Sequence, residues 1–182
     1  MRGFVSYYAL SVKLAFYIAL IVSIIAAIIV LRSRDARQAT KHVSRVLAVG
    51  SVLVIFVATG LPRDWPLKWG AGELRLALGQ GGLQDWRDVI REPNTLDSLL
   101  IVLNVALYVP LAFFATLGWR RHPWRVLAFC LLVSLGVEAA QLLVLDGFAA
   151  TDDVLLNFAG AIAGTVLGVI AARRPARPRP AG

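Results

Sequence analysis

Five apolar blocks decide what this chain can become. They lie at about 14–31, 43–61, 99–118, 124–145 and 152–172, each close to the roughly 20 residues that carry an α-helix across the hydrocarbon core of a bilayer. Backbone polar groups in lipid must be satisfied within the chain, so the blocks are predicted to be helices. The expected fold class is an all-α integral membrane protein with five transmembrane helices. It forms a single membrane domain over 1–172, followed by a basic, disordered cytoplasmic tail at 173–182.

The first block follows Arg2 and could be mistaken for a signal peptide. It is longer than the usual apolar core of one, and Arg32, Arg34 and Arg37 follow it as a stop-transfer flank, so it reads as a retained anchor. The long segment at 62–98 contains LKWGAGELRLAL and LQDWRDVIR, both with apolar residues at helical spacing. They read as two short amphipathic interfacial helices separated by the glycines of LGQGG, with Trp65 and Trp69 at headgroup level. An irregular surface loop is the alternative. Thr95 is a predicted N-cap for the third span, with Asp97 in its first turn.

A net charge of +8 would suit a nucleic-acid partner, yet the chain is 58% hydrophobic and its Lys and Arg fall in short runs beside apolar blocks. That pattern lacks the basic-aromatic groove of a nucleic-acid binder and reads as a topology signal. The segment 32–45, the turn 119–125 and the tail hold these runs, and five spans put all three on one side. The positive-inside rule makes that side cytoplasmic, with the N-terminus outside and the C-terminus inside. Cys130 is the only cysteine, which excludes an intrachain disulfide and a zinc site of paired cysteines; no metal or cofactor is expected.

Polar side chains inside such segments are the candidates for function, because each is unfavourable in lipid unless it finds a partner or water. Helical rise of about 1.5 Å per residue places Asn104, Glu138 and Asn157 at similar depth in the outer third of the bilayer, with Gln141 one turn further out. Lys13 falls near the same level; it is expected to snorkel to the headgroups, with an ion pair to Glu138 as the alternative. Ser134, Glu138 and Gln141 form one stripe of the fourth helix, and Asp153, Asn157, Gly160, Gly164 and Gly168 one stripe of the fifth. The glycine ladder predicts close helix packing, and Pro110 predicts a kink beside the Asn104 and Tyr108 pair on the third helix. A short turn holding Asp152 and Asp153 pairs the last two helices as a hairpin. Asn104, Gln141 and Asn157 also suit plain interhelical hydrogen bonding.

NVALYVPLAF, SLGVEAAQLL and DDVLLNFAGAIAG, in that order on successive spans, resemble the motifs of the VanZ-like membrane proteins. The resemblance covers about 97–170 and places Asn104, Pro110, Glu138, Gln141, Asp152, Asp153, Asn157 and Gly160 on motif positions. Two departures stand out: Ala112 replaces the glycine after Pro-Leu, and the turn DGFAAT lacks the arginine and extra aspartate of the family pattern. The resemblance implies a bacterial cell-envelope protein of a family named for teicoplanin resistance. It names no reaction.

Three functions follow as expectations. The first is a non-enzymatic protein that binds or shelters a lipid-linked envelope precursor or a lipoglycopeptide antibiotic at an outward-facing site of Asn104, Glu138, Gln141, Asp152, Asp153 and Asn157. The second is a membrane enzyme acting on a lipid-linked glycan or peptide, with Glu138 as general base and Asp153 as acid or metal ligand. Ser134 is its weak nucleophile candidate, and His42 and His122 fall on the other side of the membrane. The third is a transporter or scaffold subunit. Membrane lipids are the expected partners in every case.

Overall fold

A computed structural model describes residues 2–60, 73–76, 96–119, 122–143 and 148–173, with side chains from Lys13 in the first helix and from Ile101 in the third. Five long helices dominate it: α1 (Arg2–Arg32), α2 (Ala36–Gly60), α3 (Leu96–Trp119), α4 (Pro123–Leu143) and α5 (Thr151–Ala172). Each contains a stretch long and apolar enough to cross a membrane, so the chain is a multi-pass membrane protein. Two three-residue strands accompany them, β1 (Glu73–Arg75) and β2 (Phe148–Ala150).

Local chemistry sets several helix ends. Asp35 precedes α2 and its carboxylate accepts the Arg37 N–H at 2.8 Å, the N-cap bond that satisfies one orphan amide of the first turn. Pro123 opens α4, where its fixed φ fits and its missing N–H leaves no donor unpaired. Asp152 and Asp153 occupy the first turn of α5, favourably placed against the helix dipole. Pro110 sits inside α3 and removes one N–H from the ladder, leaving the Ala106 carbonyl without its usual donor four residues on.

The core lies among α2, α3, α4 and α5: Ile55, Tyr108, Leu111, Cys130, Val137 and Ala161 are all buried there. The most extensive helix contact is between α3 and α5. Its cause is the glycine ladder. A Cβ added at Gly160 would collide with the Val105 carbonyl oxygen, one at Gly164 with the Val109 carbonyl oxygen, and one at Gly168 would stand 2.8 Å from Thr116 Cβ. The hairpin partners α4 and α5 do touch, but the small-residue face of α5 is spent on α3. α1 packs against α2 at the margin, where Gly50 admits the Val22 side chain. Phe16, Leu20, Ile24 and Ile28 are left exposed along α1, as a surface bathed in lipid requires.

The sequence predicts helix across LKWGAGELRLAL, and the structure corrects this at Glu73–Arg75, which is extended. β1 pairs in parallel with β2, Glu73 opposite Phe148, Leu74 opposite Ala149 and Arg75 opposite Ala150. Flanking glycines weaken helix in that stretch, and the ladder gives its backbone groups partners that a lone helical turn would lack. The expected helix over 83–91, the Thr95 cap, most of the turn at 144–147 and the tail beyond Arg173 lie outside the described residues.

Candidate functional site

The polar residues of α3, α4 and α5 meet at the end of the bundle where α4 passes into α5, here termed the turn end. Asn104 Nδ2 donates to Asp153 Oδ1 at 2.9 Å, joining α3 to α5. One turn along α5, Asn157 Nδ2 donates to Ser134 Oγ at 2.9 Å, joining α5 to α4. The Glu138 carboxylate accepts the backbone N–H of Ala150 at 2.8 Å. Asp152 is fully buried.

The Glu138 contact has a plain physical reason. Ala150 is the N-cap residue of α5 and offers no side-chain cap. Its N–H is one of four amides at the helix start that lack an intrahelical acceptor, and in lipid no bulk water replaces one. A capping-box residue at the third helical position would reach back to that amide; here the residue there, Asp153, is engaged by Asn104, and Glu138 serves from α4.

Gln141 is placed differently from expectation. Its Nε2 donates to the Thr59 carbonyl at 3.1 Å, one of the carbonyls that the end of α2 leaves unpaired. The two polar residues of EAAQ thus close the ends of two different neighbours, α5 and α2. Among the described residues, the buried Tyr108 hydroxyl beside Ser134 and Glu138 and the buried Gln141 Oε1 have no hydrogen-bond partner of acceptable geometry. Lys13 is exposed on α1, and among the described residues no ion pair joins it to Glu138.

Two contributors are invisible to helical spacing. β1 carries Arg75 to a position opposite Ala150, with Glu73 Oε2 at 3.4 Å from its Nη2. Thr151 Oγ1 donates to the Leu76 carbonyl at 3.1 Å, fastening this strand to the start of α5. The only sequence signal for either was the cluster of polar residues in the turn, which does not name a partner 75 residues away. Among the described residues, no group of three or more His, Cys, Asp or Glu side chains could hold a metal ion.

The arrangement offers hydrogen-bond donors and acceptors from three helices within segments of membrane-spanning length. No curated protein and no solved structure matches the chain. The family model described as VanZ/LLP1 matches residues 14–172, taking in all five spans and every motif position discussed above. The chain belongs to the VanZ/LLP1 family.

Proposed function

We propose that the protein holds the polar head of a lipid-linked envelope ligand or a lipoglycopeptide at the turn end of its bundle, and that this end faces out of the cell across a bacterial cytoplasmic membrane. One observation carries the reading: Asn104, Ser134, Glu138, Asp153 and Asn157 converge from three helices, and among the described residues the buried Tyr108 hydroxyl beside them has no hydrogen-bond partner. Polar clusters in lipid persist where they serve a ligand, a path or each other. The unpaired donor and the Gln141 Oε1 acceptor favour the first. An amphiphilic ligand matches such a place chemically, its chain against the apolar outer faces of the helices and its head on the polar groups.

Orientation is inferred from charge. The basic runs at 32–45 and 119–125 flank the opposite ends of the helices, and the positive-inside rule assigns that face to the cytoplasm. Glu138 faces a backbone amide rather than a hydroxyl nucleophile, which favours holding a ligand over general-base chemistry.

Native mass spectrometry of the protein extracted with its lipids, wild type against Glu138→Gln, tests the reading. Glutamine keeps an acceptor for the Ala150 amide while removing the carboxyl group. A defined envelope lipid or glycan precursor retained by the wild type and lost from the folded variant is the expected result. If both carry the same bulk lipids, the cluster is interhelical glue and the proposal is discarded.

A further inference from the structure

At the opposite end of the bundle a crevice of about 270 Å³ opens between the last turn of α3 and the first turns of α4. Ala115, Trp119, Arg125, Val126 and Phe129 line it. We propose that it is a binding site for an anionic phospholipid, with part of an acyl chain in the crevice and the phosphate between Arg125 and Arg45. This site is independent of the polar cluster at the turn end.

The lining is graded in depth. Ala115 and Phe129 lie one turn, about 6 Å, further into the span than Trp119 and Arg125. Hydrocarbon thus meets hydrocarbon inside the membrane, and the cation stands at headgroup level with an aromatic ring beside it. Arg45 comes from α2 to the Trp119 edge of the crevice: its guanidinium carbon is 5.9 Å from the Trp119 ring centre and its Nε donates to the Gly118 carbonyl at 3.1 Å. Gly118 makes this possible, because a Cβ there would stand 3.0 Å from the Arg45 backbone nitrogen. Arg125 lies 5.2 Å over the Trp124 ring.

Charge selects the occupant. Among the described residues neither guanidinium is paired with a carboxylate. The flanking sequence at 33–46 and 119–126 holds seven Lys and Arg and a single acid, Asp35, whose carboxylate is used on the Arg37 amide. Guanidinium forks suit phosphate oxygens, and basic crevices between membrane helices suit anionic headgroups. A free phosphate would gain nothing from the apolar lining, and a zwitterionic lipid would bring its own cation.

The test titrates the purified full chain in neutral detergent with phosphatidylglycerol and with phosphatidylcholine of the same acyl chains, reading bound lipid by native mass spectrometry. Phosphatidylglycerol is expected to saturate at one molecule per chain and to bind at least tenfold more tightly than phosphatidylcholine. Arg125→Gln, which breaks no side-chain hydrogen bond among the described residues, should remove most of that preference; Arg125→Lys should keep part of it. Arg32→Gln, on α1 and outside the crevice, should leave it unchanged. Equal binding of the two lipids overturns the proposal. So does an Arg32→Gln loss as large as that of Arg125→Gln, which would mark a diffuse surface charge instead of a site.

Discussion

The Glu138 carboxylate closes the start of α5 by accepting the Ala150 amide at 2.8 Å, so a residue of α4 supplies the cap that α5 lacks in its own sequence. Replacement by alanine leaves that amide unsatisfied in a buried place, at about 1–3 kcal/mol. Glutamine keeps a carbonyl acceptor for that amide and should preserve most of the bond. Thermal unfolding in detergent should therefore place Glu138→Gln above Glu138→Ala. Equal melting of the two variants would remove the capping account.

The α3–α5 contact predicts a sharp contrast among glycines. Gly160→Ala and Gly164→Ala drive a methyl into backbone carbonyls of α3, which cannot rotate away as a side chain tip would. Each should destabilise by about 1–3 kcal/mol or more, the range for overpacking a well-filled interior. At Gly136 an added methyl would meet nothing within 4 Å, so Gly136→Ala should be neutral or slightly stabilising. Expression level and melting temperature of the three variants decide this.

The spans were legible because a 20-residue apolar block has few fates, and the glycine ladder was legible as a packing face. Its partner was not. Spacing of four marks a stripe on α5 but carries nothing about which neighbour meets it, and the short turn pointed to α4 when the tight contact is with α3. Glu138 and Gln141 were likewise legible as polar groups needing partners, whereas both partners are backbone groups, Ala150 N–H and Thr59 C=O, that no sequence pattern displays. The β1–β2 pairing was hidden for the same reason. Three residues are too few to show a period of two, and a backbone ladder reads no side chains.

Asn104 and Asp153 should be energetically coupled. A double-mutant cycle with Asn104→Ala and Asp153→Ala, read by unfolding in detergent, is expected to give a coupling of about 0.6 kcal/mol and at most about 1.7, the average and the maximum for hydrogen bonds between membrane helices. Strictly additive effects would show that the 2.9 Å contact contributes nothing to folding.

Thr151 fastens β1 through its bond to the Leu76 carbonyl. Thr151→Val removes that bond, worth about 1 kcal/mol, and should raise amide exchange in 73–76 about fivefold while barely moving the melting temperature. Unchanged exchange there would mean that the backbone ladder alone holds the strand.

Orientation can be read with the native cysteine out of the way. Cys130 is fully buried in α4, so a membrane-impermeant maleimide should leave the wild-type chain unlabelled in intact cells. Five spans put the α4–α5 turn and the C-terminus on opposite sides, and the proposed orientation places the turn outside. In a Cys130→Ala background, Gly147→Cys should label in intact cells, whereas Arg177→Cys should label only after lysis. The reverse pattern would place the polar cluster at the cytoplasmic face, where an envelope ligand in the outer leaflet cannot reach it. It would move the arginine crevice to the outer leaflet with it, so one labelling experiment fixes which lipid pool each end of the bundle meets.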